Sequence, residues 1–417
     1  MSPFEGCVRI SNREAVLFIS YDGLTDPLGS SQIIPYLESI VRHSSPLRVL
    51  SFEKLDRFDS QGAEIGRRLE STGIRWTPLE FTRGGKLSKI IDLIRMYLIA
   101  VTLQWRHGYS VIHCRSYQAG QVGWLLKRLF GAKMIFDMRG LWVDERVDGG
   151  LWLQRRWVDR MAYRIYKSIE VSLLTTSDHV VALTNQVVPE LRRLAPKMTG
   201  KVTVIPCCAD FGHFAILTPG ERAVARKRLG LSPDAFLLSY LGSLGTWYML
   251  DEMLSFFVDA AASRADVNLL VITKDWEESH WERLRALGGE AFASRVRVVS
   301  ASREEVPALI GCSDVMLSFI RPTYSKIASS PTKLAEAYAC GVPSICNRGV
   351  GDVDAQTEAL EAGVVLDPSD SDDVRCAIER LDNIRAIGGV DLRVRANKSL
   401  DLSVAAELYR DVYRSVH

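Results

Sequence analysis

This 417-residue chain lacks any apolar run long enough to cross a bilayer. The most apolar stretch, Ile90 to Trp105, carries Asp92 and Arg95, and its unbroken core is about half of the roughly 20 residues a span requires. The opening residues are polar, and the apolar run Val16 to Ile19 is too short for the core of a secretory leader. A cytoplasmic protein is expected, at most resting on the inner face of a membrane. Charge of one sign is also missing. Lys and Arg number 52 against 50 Asp and Glu, a net charge of +2, so no global field draws nucleic acid and an acidic partner must meet a local patch. The eight cysteines show no C-x-x-C pairing, which argues against a disulfide scaffold or a zinc site and for buried free thiols. What remains is an ordinary globular composition, 47% apolar and 24% charged, with length for two domains.

The chain alternates strand-like and helix-like segments. Val16 to Ser20 feeds the loop Y-D-G-L-T-D-P-L-G-S-S-Q, and Ile33, Ile34, Leu37 and Ile40 follow at helical spacing. Further strand-like runs are Leu47 to Phe52, Ile74 to Pro78, Val111 to Cys114, Met134 to Phe136, Val180 to Leu183 and Val202 to Ile205. A second series begins at Phe236, with a tight turn at Gly242-Ser243 and strand-like runs at Asn268 to Thr273, Val296 to Ser300, Asp314 to Phe319 and Ser344 to Cys346. The spacing predicts an α/β fold with two Rossmann-like domains, whose parallel sheets collect ligands beyond the carboxyl ends of their strands.

Candidates at such ends follow directly. Gly29 and Gly242 let a ligand approach backbone, although a structural turn is the commoner use of such glycines. His113 and Arg115 close one strand; Asp137 and Arg139 close the next and can equally pair with each other. Lys274 follows a strand of the second half. The turn at Gly242 lacks the G-x-G-x-x-G pattern, which counts against a nicotinamide dehydrogenase. Over residues 152–169, Arg156, Arg160, Arg164 and Lys167 form one helical stripe, while Trp157, Val158, Met161, Ile165 and Ile169 form another. The apolar face is expected in the core. The basic stripe is either solvated or meets anionic lipid headgroups or an acceptor's lipid diphosphate.

The stretch S-S-P-T-K-L-A-E-A-Y-A-C-G-V-P, Ser329 to Pro343, carries the most chemistry. Ser330 suits an N-cap, Pro331 the first helical position, and Gly341 with Pro343 the end. Lys333 sits in the first turn, where the helix dipole would prefer a carboxylate. An anion relieves that misfit: free N–H groups, Thr332 and Lys333 then converge on a phosphate. Glu336 shares their face and suits a ribose diol, so the pattern points to a nucleotide. The ordinary alternative is a capped helix with a solvated Lys and Glu.

The motif S-P-T-K-x-x-E-x-x-A-C-G-x-P resembles the donor-site signature of family 4 retaining nucleotide-sugar glycosyltransferases, in a variant branch. The commoner family pattern has two glutamates; the second matches Glu336, and Ala328 stands where the first would be. P-C-C-A-D-F-G-H-F, beginning at Pro206, resembles the family's junction between halves. The resemblance implies an acceptor-binding domain over 1–206, a linker over 207–220, a nucleotide-sugar domain over 221–400, and a helix over 401–417 crossing back to the first domain. It further implies sugar transfer from a nucleoside diphosphate to a hydroxyl of a glycan or lipid-linked acceptor, without a required metal. Lys333, with Lys274 or Lys326, would stabilise the leaving diphosphate; Gly242, Ser243, Ser330, Thr332 and Glu336 would hold the donor. Gly29, Arg115 and Arg139 would meet substrate, and Asp137 would be the alternative base. An epimerase or a non-catalytic nucleotide-sugar scaffold would keep the same donor features.

Overall fold

A computed structural model describes residues 16–41 and 47–416. The polar opening residues, on which the expectation of no leader rests, and His417 lie outside the described residues. Seven strands make the first sheet: β1 Val16–Ser20, β2 Leu47–Glu53, β3 Ile74–Glu80, β4 Val111–Arg115, β5 Lys133–Asp137, β6 His179–Ala182 and β7 Lys201–Val204. All pairings are parallel, in the order β3-β2-β1-β4-β5-β6-β7. Six make the second: β8 Phe236–Leu241, β9 Val267–Ile272, β10 Val296–Val299, β11 Val315–Ser318, β12 Ser344–Asn347 and β13 Gly363–Leu366. Their order, β10-β9-β8-β11-β12-β13, repeats the same winding, again all parallel. Sequences such as VLFIS and FLLSYL alternate nothing because helices cover both faces of each sheet, and each sheet has a core on either side. The strand order reverses between β1 and β4 and between β8 and β11. Those reversals open a crevice at the carboxyl ends of both sheets.

Several local expectations change. Gly29 lies not in a loop but in the helix Pro27–Gln32, where a Cβ would fall 2.3 Å from the Gly23 carbonyl and 2.5 Å from Leu24 Cα. Its missing side chain allows this close helix–loop packing. The helix Trp157–Thr176 is fully buried only in its carboxyl half, at Glu170, Leu173 and Leu174, and its earlier turns pack on the core through Tyr163 and Tyr166 on a different face from the apolar stripe. Trp157, Val158, Met161 and Ile165, expected inside, are therefore exposed. Its basic stripe is shorter than predicted, because Lys167 is held by Asp144 at 2.9 Å and Glu170 at 2.8 Å. The helix Lys86–His107 exposes Ile90, Ile91, Ile94, Leu98 and Trp105 on the same layer. Among the described residues no helix is long and apolar enough to cross a membrane.

The halves are clasped together. Helix Trp142–Asp148 of the first meets a 3-10 turn, Tyr324–Ala328, of the second: Lys326 pairs with Glu145 at 2.9 Å and the Ser325 N–H donates to Asp148. Asp352 accepts from the backbone N–H groups of Asn185 and Gln186. The last helix, Leu402–Val416, packs on Ile34–Val41 of the first half.

Candidate active site

A cavity of about 860 Å³ lies between the carboxyl ends of the two sheets. From the second half it takes Trp247, Tyr248, Lys326 and the run Ser329 to Lys333; from the first it takes Arg115, Arg139, Trp142, Trp152 and Tyr166 among others. The helix carrying Lys333 runs Thr332–Ala339, one residue later than the sequence suggests. Pro331 occupies the N-cap position and no side chain caps the helix. The Ser330 hydroxyl accepts instead from the N–H of Cys207, 123 residues away in the chain and 3.0 Å away in space. The Leu334 N–H bonds back to the Pro331 carbonyl at 3.1 Å, which leaves the N–H groups of the two cavity-lining residues Thr332 and Lys333 open among the described residues, with no acidic residue in the first turn.

Lys333 is buried, lines the cavity, and its Nζ has no hydrogen-bond partner among the described residues. Two rings cradle it, Tyr240 at 4.4 Å and Tyr248 at 4.0 Å from ammonium to centroid. Burial pulls its pKa down to about 7 against the pull of Glu336. Gly242 makes room for it. Its φ is +134°, and a Cβ there would stand 3.0 Å from the Lys333 Nζ. Glu336 does not line the cavity; burial pushes its carboxyl up to about 7, opposed by Arg303 and Lys333. Thr332 and Ser330 do line it. Ser243 is exposed and offers its carbonyl to the Tyr240 hydroxyl, while Lys274 is exposed and away from the cavity. Lys326 reaches the cavity but is already paired with Glu145 and lies 3.9 Å over the Trp247 ring.

On the first sheet Arg115 and Arg139 line the cavity, and Asp137 lies buried beneath them. Asp137 accepts from the Tyr409 hydroxyl at 3.0 Å and has Arg115, Arg139 and His113 at 3.8, 3.9 and 3.6 Å. Burial alone would raise its pKa; Arg139, His113 and Arg115 together hold it at about 2. A carboxylate so strongly held in its charged form, away from the cavity, is a poor proton acceptor. The role of alternative base does not suit it. Burial lowers the pKa of His113, whose Nδ1 is 2.7 Å from the Tyr413 hydroxyl, so it is a packed, neutral imidazole.

Residues 40–208 match the family described as "Glycosyl transferase 4-like domain", and residues 235–383 match "Glycosyl transferases group 1". The chain belongs to the family 4-like glycosyltransferases. A D-inositol 3-phosphate glycosyltransferase of Segniliparus rotundus is 27% identical over 270 residues, 63% of this chain and 56% of the relative. The chain thus spans little more than half the length of that curated relative. In fold, this glycosyltransferase is similar to the sucrose-phosphate synthase of Thermosynechococcus elongatus, with TM-score 0.69, 20% identity, and 96% and 98% of the two chains covered. It is also similar to Anabaena HepE solved with UDP, with TM-score 0.69, 15% identity, and 96% and 100% covered. These neighbours share its two-domain GT-B architecture.

Sequence reasoning missed much of what surrounds the helix Thr332–Ala339. Tyr240 and Tyr248 bracket the Gly242 turn, and that flanking pair was the available signal. Trp142, Trp152 and Tyr166 form an aromatic wall with centroids 5.2 to 5.9 Å apart, foreshadowed only by the tryptophans crowding that stretch. Tyr409 and Tyr413 reach His113 and Asp137 from some 270 to 300 residues away, with no local sign.

Proposed function

We propose that this protein is a retaining glycosyltransferase that moves a sugar from a nucleoside diphosphate to a hydroxyl of a lipid-linked or glycan acceptor. The work would be assembly of a surface polysaccharide or glycolipid, at the cytoplasmic face of a membrane. One observation carries the reading: an unpaired, buried ammonium, Lys333, beside an uncapped helix start that opens on the interdomain cavity. As the bond between the anomeric carbon and the β-phosphate oxygen breaks, negative charge grows on that oxygen. Lys333 and the first-turn N–H groups offset it without needing a metal. The acceptor oxygen bonds to the anomeric carbon from the same face, and its proton passes to the departing phosphate. No protein base is then required, in keeping with the burial of Asp137. Glu336, one turn along and outside the cavity lining, would take the ribose hydroxyls only where the nucleoside extends past Lys333. That HepE was solved with UDP supports a nucleoside diphosphate as the donor's leaving part.

Exposed Trp157, Met161 and Ile165, with Arg156, Arg160 and Arg164 exposed beside them, support membrane contact. A thermal-shift panel of nucleoside diphosphates tests the donor seat: at least one should stabilise the wild type, and none should stabilise Lys333→Ala. Equal stabilisation of both proteins would refute the assignment. Donor consumed without acceptor would favour an epimerase, and tight binding without turnover a scaffold.

A further inference from the structure

Arg115 and Arg139 stand at the ends of adjacent strands and line the same cavity as Lys333, and the chemistry above gives them no task. The Arg115 side chain is 4% exposed, yet it donates no hydrogen bond among the described residues and its Nε is unpartnered. Its nearest carboxylates, Asp22 and Asp137, are 3.9 and 3.8 Å away, beyond hydrogen-bonding range. Arg139, held at φ +58°, hydrogen-bonds among the described residues only to the Cys207 sulfur, at 3.3 Å. One buried carboxylate, Asp137, is shared between these two guanidiniums, and Tyr409 already occupies one of its oxygens. Asp22 is about half exposed, and His113 is neutral. A surplus positive charge is therefore buried at the cavity floor. Burying charge without a partner is costly unless a ligand supplies the counter-charge.

Two planar forks converging on one space match the oxygens of a phosphate. We propose that the acceptor carries a phosphate ester, seated on Arg115 and Arg139, with its organic part against Trp142, Trp152 and Tyr166. The proposal rests on the glycosyltransferase reading and narrows it, since it places a second anion site opposite the donor's. The Cys207 N–H bonded to Ser330 ties this floor to the donor helix, so both sites share one cavity. Donor and acceptor charges must then be told apart by experiment.

The test uses the full chain with the best-stabilising nucleoside diphosphate at saturation, titrated calorimetrically with geranyl phosphate, geraniol and inorganic phosphate. Geranyl phosphate is expected to bind well and geraniol not; binding of inorganic phosphate alone would show that the phosphate suffices. Arg115→Gln and Arg139→Asn should each weaken geranyl phosphate roughly thirty-fold or more, as removal of one partner of a buried charged contact does. Their nucleoside diphosphate affinity should stay within about two-fold. Asparagine tolerates the left-handed backbone at 139, and the contrast between phosphate and alcohol needs no variant at all. Equal binding of geraniol and geranyl phosphate would overturn the proposal. So would arginine variants that lose the nucleotide instead, which would assign these side chains to the donor. If no nucleotide binds the wild type, the donor reading fails, and the phosphate titration without nucleotide still decides this one.

Discussion

Lys333 is the residue on which the site turns. A lysine whose pKa is brought from 10.5 to about 7 by burial is mostly charged near pH 6 and mostly neutral near pH 8. The unfolded chain binds that proton more readily, so this group's contribution to stability grows as pH rises from about 7 towards 10.5. A phosphate beside it reverses the preference and raises its pKa. Binding of a nucleoside diphosphate at about pH 8 should therefore take up a proton. Glu336, raised to about 7, works oppositely: if it accepts from ribose hydroxyls it must ionise, so near pH 6 it releases one. Titration calorimetry in buffers of differing ionisation enthalpy reads both signs. In Lys333→Arg the uptake at high pH should vanish, because a guanidinium does not deprotonate there. Uptake unchanged in that variant would assign the proton to another group.

At the scale of elements, the terminal helix Leu402–Val416 belongs functionally to the sheet it crosses to. Among the described residues its Tyr409 supplies the one direct side-chain hydrogen bond to the Asp137 carboxylate, and Tyr413 fixes the ring of His113. Tyr409→Phe keeps the ring and removes that bond, which should cost about 1.5–3 kcal/mol in denaturant unfolding, the usual range for a bond to a charged group. A change within error would mean that Arg115 and Arg139 alone satisfy Asp137. Here the limits of sequence reasoning are physical. Apolar runs such as VLFIS declare buried parallel strands by themselves, and a lysine in a helix's first turn declares a misfit with the helix dipole. Both signals are local. The true partner of Ser330, the exposure of Lys274 and the docking of Tyr409 depend on segments far along the chain. The strand end tells where a residue stands, but tertiary contacts decide where its side chain goes. The helix Trp157–Thr176 makes the same point, since its apolar stripe was read correctly and its surroundings were not.

For the whole molecule, that stripe has a consequence. Ile90, Ile94 and Leu98 on one helix and Val158, Met161 and Ile165 on another are exposed, on two helices that both pack against the helix Ser116–Phe130. Exposed Arg155, Arg156, Arg160 and Arg164 accompany them. The same elements reach the cavity, through Lys89 and Leu93 on the first helix and Tyr166 on the second. An exposed apolar face bordered by cations, on helices that also line the cavity, is the kind of surface that meets an anionic bilayer. The protein should co-sediment with vesicles containing acidic phospholipid, release as salt is raised, and ignore neutral vesicles. Leu98→Asp with Ile165→Asp should abolish binding while changing stability by no more than about 0.5 kcal/mol per site, both side chains being exposed. Nucleoside diphosphate affinity should be unaffected, since neither residue lines the cavity. Vesicle binding by the double variant at the wild-type level would place the membrane contact elsewhere. A wild type that sediments as a dimer, and as a monomer once substituted, would show instead that a second copy covers this face.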